Sequence, residues 1–524
     1  MNDPSSPLAS PPLEDLVAQP GRARYNLAVW AACLIVFIAV CLVTVVVMAG
    51  YLWRVSADGL YSGLAGYVLS AGLVALVLVV GRMGASPPSR PRVGTWMFGL
   101  FAASLVLRVA CVTYLPYAPA ADFKVYDDAG VKMAHDWTLG EEASKDGGTL
   151  RCFFPPGQVF TLGVLYRLFD KGVDDAHSVH SVLSAELFNC LLASLTVVGI
   201  YLIARRLWGE RPGRVAGGLA VFLPSTVFGC MVLGAEVPET FWLVLALWIY
   251  IRWVDSGFAW QGAIACGLCL GIGALIRPTY LLLPIPMGLH MLLCWPGKGR
   301  AVLAATVMGL SLAAVIAPWT LRNYRVTGGL IVISSNGGGN LWSGNNDDTW
   351  HGKYTAKTWD YLFKNSRNDL ELQKKGMAKA KEWIATHKAR FAQLTLEKFA
   401  VLWALDNDMA WWALDQPFLE HEEKPGYPEP KFNRWLGWWA EAVSTGFYLA
   451  CFAAAAAGMI WRRETLWRKR GWIILAVMFF YFSAIHMVFE SQAKYHYMLV
   501  PLACIFSALL ACRSDEPMPE ERGA

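Results

Sequence analysis

The stretch WMFGLFAASLVLRVACVTYLPYAPAADFKVYDDA, residues 96–129, decides the fold. Its first part, Trp96–Tyr117, is apolar over a length that crosses a bilayer, broken by one charge at Arg108. Asp122, Asp127 and Asp128 follow at the mouth of that span. Carboxylates are costly near lipid and rarely sit there without a task, so this edge is the first candidate site.

The same grammar of apolar runs and charged margins repeats along the chain. Hydrophobic residues make up 56% and charged residues 16%, with a mean hydropathy of +0.39, which excludes an ordinary soluble domain. The 24 Trp and 19 Tyr suit the two interfacial belts of a bilayer. A net charge of +5, spread as short basic clusters between apolar runs, gives no footprint for nucleic acid.

Twelve runs are long enough to be candidate spans: 27–52, 61–81, 96–117, 183–204, 215–234, 239–254, 260–276, 279–295, 301–318, 437–460, 472–489 and 497–512. With the N-terminus inside, the basic clusters at Arg82, Arg90 and Arg92, at Arg205, Arg206, Arg211 and Arg214, at Lys298 and Arg300, and at Arg462–Arg470 fall on the cytoplasmic side. Loops 118–182 and 319–436 then lie outside. Residues 1–20 are rich in Pro and Ser, lack a cleavable-signal pattern and read as a disordered cytoplasmic tail. Most of the 12 Cys lie in apolar runs; Cys152 stands in an outer loop, so no disulfide framework is expected.

The outer loops carry the chemistry. In the first, FFPPGQVFTLGVLYRLF (153–169) has helical apolar spacing but is too short to span, and is expected along the interface. The second opens on PWTLRNYRVTGG (318–329), passes through SSNGGGNLWSGNND (334–347) and turns helical near Leu370, where Leu372, Met377, Ala380 and Trp383 form one apolar face. Glycines 337–339 would allow backbone amides to approach a ligand, and equally mark a tight turn.

Plainer readings accompany these. Asp122 also fits the cap of a helix running from Phe123 to His135. Asp127 and Asp128 read as a solvated helix face. Arg277 could snorkel to the interface. His496 fits a satisfied structural histidine, and no His/Cys cluster has zinc-ligand spacing. Glu236 and Glu239 flank Pro238, which favours a break at Val237, leaving Glu236 in a turn and Glu239 in the first turn of the next helix.

Several motifs occur in an order that resembles a known family: Arg108 followed by Asp122 and Tyr126; FFPPGQ at 153–158; Pro224 leading to Glu236; LIRPT at 275–279; PWTLRNY at 318–324; NGGGNLWSGNN at 336–346; and KYHYMLVP at 494–501. The chain resembles the GT-C-fold glycosyltransferases of family 39 type, the group of protein mannosyltransferases and bacterial aminoarabinose transferases. The resemblance implies an all-α polytopic membrane protein, GT-C-like, with about 12 transmembrane helices and two long extracytoplasmic loops. It also implies transfer of a sugar, with inversion, from a polyprenyl-phosphate donor to a glycan, lipid or protein acceptor outside a bacterial inner membrane.

In that reading Asp122 and Glu236 are catalytic, Asp122 as the base. Arg108, Tyr126, Arg277, Arg322, Asn323, Asn336, Lys494 and Tyr495 bind substrate, with Arg277, Arg322 and Lys494 near the lipid phosphate. Many relatives carry a second acid directly after the first-loop aspartate, whereas here Phe123 follows, which weakens a paired-carboxylate role. No cofactor is required; a divalent cation between Asp122 and Glu236 is compatible with the spacing but not demanded by it. The expected organisation is a cytoplasmic tail 1–26, two added N-terminal transmembrane helices 27–81, a membrane core 96–318, an extracytoplasmic region 319–436, C-terminal transmembrane helices 437–512 and a cytoplasmic tail 513–524. A polysaccharide polymerase or ligase is chemically close. A transporter or flippase is the rival from another class, but the sequence shows no pair of matching broken halves.

Overall fold

The computed structural model describes residues 20–52, 57–83, 93–115, 119–137, 142–143, 149–169, 182–255, 260–294, 297–423, 434–468 and 471–512. Residues 1–19, residues 513–524 and the basic positions Arg90, Arg92, Lys469 and Arg470 therefore lie outside the described residues, while 20–26 of the expected tail belong to the helix Pro20–Leu52. Within them the chain is an all-helical multi-pass membrane protein. Eight helices are long and apolar enough to cross a bilayer, and three shorter apolar helices, Trp260–Ile276, Pro278–Leu293 and Trp472–Val488, accompany them. The β structure among the described residues is a two-residue ladder in the first outer loop, Glu142–Ala143 against Thr149–Leu150.

The expected span at 215–234 is not one helix. A helix ends at Phe222, a single turn Pro224–Phe228 follows, and the chain turns before a new helix opens at Glu236. Pro224 is the reason: it forces Leu223 into extended backbone and has no N–H to return to the carbonyl four residues earlier. Arg108 covers the gap. Its guanidinium, fully buried, donates to the carbonyls of Ala220 (3.3 Å) and Val221 (3.2 Å) and to the Thr226 (2.7 Å) and Ser104 (2.7 Å) hydroxyls.

The helix Lys298–Thr327 positions the outer region. At 30 residues it is ~45 Å long, beyond the ~30 Å of hydrocarbon, so its last turns rise out of the membrane. It stops where Gly328 takes a left-handed φ of 70° and donates to the Tyr324 carbonyl. Buried Asn323 then fixes the returning chain by donating to the carbonyls of Ile331 (3.1 Å) and Ile333 (3.0 Å).

Above the membrane, the helices Gly337–Ser343 and Asp369–Thr386 cross backbone to backbone. A Cβ on Gly338 would stand 2.3 Å from the Gln373 carbonyl oxygen, and one on Gly376 would stand 2.6 Å from Gly338. Two glycines of the NGGG motif are thus consumed by packing: Gly338 here and Gly339 against the Trp359 ring. Asp369, 1% exposed, completes the joint, accepting from the Arg151 and Cys152 amides (2.7 and 3.1 Å) and the Ser335 hydroxyl (2.7 Å). One buried carboxylate therefore sets the FFPPGQ segment beside the NGGG segment. A small apolar core of Leu150, Phe153, Trp359, Leu362 and Leu372 closes the arrangement.

Candidate active site

Beneath this outer region lies a cavity of about 760 Å³, in the size range of small-molecule sites. Its polar lining comes from five separate stretches: Asp122 and Tyr126, Glu236, Arg277, Asn336 with Asn340, and Glu490, Gln492, Lys494 and Tyr495. Apolar lining comes from Ile276, Leu281, Leu282, Ile485 and Phe489. An aromatic roof of Phe153, Phe154, Trp359 and Phe363 comes from the outer region.

Asp122 stands in the first turn of the helix Ala121–Asp136. It is not the cap: Ala120 holds that position without a side-chain bond, which corrects the capping alternative. Ala121 instead takes φ 46°, a strained conformation for a residue with a Cβ, immediately before the carboxylate. Asp122 is 62% exposed at the side chain, and Lys494 Nζ reaches its Oδ2 at 3.4 Å from a 9% exposed position. The expectation of a solvated face holds for Asp128, which pairs with Lys124 at the surface, but not for Asp127. Asp127 is 2% exposed and accepts from the Tyr166 hydroxyl (2.7 Å), a bond that clamps this helix to Pro156–Phe169.

A second charged group forms where Arg277 meets two glutamates. Arg277 is extended because Pro278 follows, and its side chain donates to Glu236 Oε1 at 2.9 Å and pairs with Glu239 Oε2 at 2.5 Å. The predicted break at Val237 is absent. The helix begins at Glu236, and Pro238 sits in its first turn, where a missing N–H costs nothing. Both acids consequently share one face and one arginine. Gln158 of FFPPGQ anchors the preceding turn by donating to the Leu233 carbonyl (2.9 Å).

The third contributor is the segment after the helix Trp472–Val488. Phe489 and Gln492 have extended backbone and a 3-10 helix opens at Ala493, and Phe489, Glu490, Gln492, Lys494 and Tyr495 line the cavity. Ser491 points the other way, its N–H to the Gly352 carbonyl and its hydroxyl to the Lys398 carbonyl, both at 2.9 Å. Lys398, fully buried, donates to Asn345 Oδ1 (2.7 Å) and the Val488 carbonyl (3.0 Å), and burial pushes its ammonium down to about 7. Tyr495 stacks on His486 (4.4 Å), lies under both Arg277 (5.4 Å) and Lys494 (5.8 Å), and donates to Glu490 Oε1 (2.7 Å).

The structure thus brings together Asp122, Tyr126, Glu236, Arg277, Asn336, Lys494 and Tyr495. It does not bring in three of the residues expected to bind substrate. Arg108 serves the proline break described above, and Asn323 serves the turn at 331–333. Arg322 is absent from the cavity wall: it lies over Trp319 (4.6 Å) and donates to the Arg151 carbonyl (2.6 Å). His496 is satisfied inside the protein, stacked on Trp403 and bonded to Asp406 at 3.1 Å. Glu490 and Gln492 went unread in the sequence, although an acid one residue beyond a span is the same signal that singled out Asp122. Among the described residues, no group of three or more His, Cys, Asp or Glu is placed to hold a metal ion.

Comparison with known proteins bears out the resemblance read from the motifs. The model of the dolichyl-phosphate-mannose-protein mannosyltransferase family matches residues 160–321, and the chain resembles the GT-C-fold glycosyltransferases of family 39 type. No curated protein matches the sequence. Similar solved structures include the archaeal oligosaccharyltransferase AglB from Archaeoglobus fulgidus in complex with an inhibitory peptide and a dolichol-phosphate, at 14% identity and a TM-score of 0.48 over 79% of this chain. ArnT from Cupriavidus metallidurans bound to undecaprenyl phosphate is similar at 14% identity and a TM-score of 0.36, covering 80% of this chain and 77% of ArnT. This chain spans about half the length of AglB, 50% by coverage.

Proposed function

We propose that the chain is a membrane glycosyltransferase that moves a sugar from a polyprenyl-phosphate donor to an acceptor hydroxyl on the extracytoplasmic face of a bacterial inner membrane. The observation that carries this reading is one cavity in which the apolar side chains of Ile276, Leu281, Leu282, Ile485 and Phe489 meet the Asp122–Lys494 and Glu236–Arg277 pairs. A lipid-linked donor asks for that combination: its isoprenoid needs an apolar wall, its phosphate needs cations, and the acceptor needs a base. The family match over 160–321 supports the same reaction class.

In this account Asp122 takes the proton of the acceptor hydroxyl as the oxygen bonds to the anomeric carbon. The bond from that carbon to the phosphate oxygen breaks, its electron pair stays on the departing polyprenyl phosphate, and the configuration inverts. Arg277 and Lys494 stabilise the phosphate charge through charge-assisted hydrogen bonds. Glu236 orients Arg277. The high exposure of Asp122 suits a group that meets an acceptor arriving from water, whereas Lys494 is held from behind by its backbone bond to Asp408 (2.8 Å).

Lys494→Met tests the phosphate assignment. Losing a hydrogen bond to a charged group costs about 1.5–3 kcal/mol, so donor KM should rise roughly ten- to hundredfold. An unchanged donor KM would remove Lys494 from the phosphate site. Topology is tested separately: a cysteine replacing exposed Lys357 should react with an impermeant thiol reagent in intact cells, and one replacing exposed Glu464 should not. Labelling at Glu464 alone would invert the protein and put the cavity on the cytoplasmic side.

A further inference from the structure

Glu490 is the buried acid of the cavity that the mechanism above does not use. Its residue is 6% exposed. Oε1 accepts from the Tyr495 hydroxyl at 2.7 Å and from the Gln492 amide at 3.5 Å, and the Ser343 hydroxyl also bonds to the carboxylate. Burial pushes the carboxyl above its ordinary range, against the opposing pull of Tyr495, Lys494 and the Ser343 hydroxyl. The Glu490 side chain lines the cavity, and a carboxylate has about four lone-pair sites, so it can accept from a ligand as well as from Tyr495.

The position of Glu490 narrows what that ligand is. Through Tyr495 it is one side chain away from both Arg277 and Lys494, the cations assigned to the donor phosphate. Whatever is bonded to a phosphate held there must lie within a few ångström of it, so Glu490 stands beside the group that the phosphate carries. The roof over the same space is aromatic, Tyr126 against Phe154 at 5.2 Å and Phe153 against Trp359 at 5.4 Å. Flat apolar faces above and a hydrogen-bond acceptor at the side suit a polyhydroxylated ring, which has C–H faces and an O–H rim.

We propose that Glu490 holds the sugar of the donor, accepting hydrogen bonds from its hydroxyl groups; this rests on the glycosyltransferase reading above. The roles divide accordingly: Arg277 and Lys494 bind the phosphate, Asp122 serves the acceptor, and Glu490 selects and orients the sugar.

The test is binding without acceptor, using the full chain purified in detergent. Affinities are measured for farnesyl phosphate and for its mannosyl, glucosyl, galactosyl and arabinosyl conjugates, in the wild type and in Glu490→Gln. The amide keeps the size of the side chain and an oxygen for Tyr495, but loses the second acceptor. The wild type should bind at least one conjugate more tightly than the bare lipid phosphate. Glu490→Gln should bind the bare lipid phosphate within twofold of wild type and lose at least tenfold on that conjugate. Equal losses on both ligands would assign Glu490 to the shape of the pocket and overturn the proposal, as would no loss on either. A wild type that binds every conjugate no better than the bare lipid phosphate would overturn the sugar role and leave the donor reading standing. A wild type that binds none of these lipids would overturn the glycosyltransferase reading and this inference with it.

Discussion

Asp122→Asn should lower sugar transfer by on the order of a hundredfold or more while leaving the protein folded and able to bind the donor lipid, because general-base contributions run from about 100- to 10,000-fold. The substitution keeps shape and removes basicity. Asp122 caps nothing and its side chain is 62% exposed, so little of the fold depends on its charge. Among the described residues its ionic partner is Lys494 at 3.4 Å, and with the carboxylate itself largely in water the pair contributes on the order of 1 kcal/mol. Stability and activity therefore separate at this position. Transfer within threefold of wild type would remove Asp122 as the base.

Arg277→Met should show the opposite coupling, losing stability and activity together. The guanidinium lies between Glu236 and Glu239, whose side chains are 6% and 3% exposed. Removing one partner of a buried ion pair leaves an uncompensated charge and costs about 3–5 kcal/mol. A large fall in the thermal midpoint in detergent should follow. Adding Glu239→Gln should recover part of it, since one of the two stranded carboxylates is then neutral. A midpoint unchanged by Arg277→Met, or no recovery in the double variant, would show that the charges are solvated rather than buried.

The residues that were legible in the sequence share one property. Asp122, Arg277 and Lys494 are charges at the outer ends of apolar runs, where the cost of placing a charge near lipid makes sequence position informative. Height above the membrane is readable in that way, but direction around a helix bundle is not. Arg322 follows an apolar run in the same way as Arg277 and turns toward the Arg151 carbonyl; Arg108 lies within an apolar run and turns toward a broken helix. Hydropathy made 215–234 one span because it registers side chains and not the missing N–H of Pro224. The Glu236 and Glu239 reading failed through the same proline chemistry in reverse: a proline in a first turn starts a helix rather than breaking it. Glu490 escaped because it sits in the short link between the helix ending at Val488 and the 3-10 helix opening at Ala493, where hydropathy does not say which side chains reach the cavity. The Gly337–Gly339 run shows how one composition serves two ends, with Gly338 and Gly339 packed against neighbours and Gly337 on the cavity wall.

The central claim is that this cavity transfers a sugar from a lipid phosphate without needing two sealed compartments. The purified chain in detergent, given polyprenyl-phosphate sugars and an extract of cell-envelope acceptors, should release free polyprenyl phosphate in step with a new glycosidic product detected by mass spectrometry. Both should be abolished in Asp122→Asn. Donor binding without release or product in detergent, together with movement of the lipid across the bilayer in sealed vesicles, would contradict the account and make the protein a transporter.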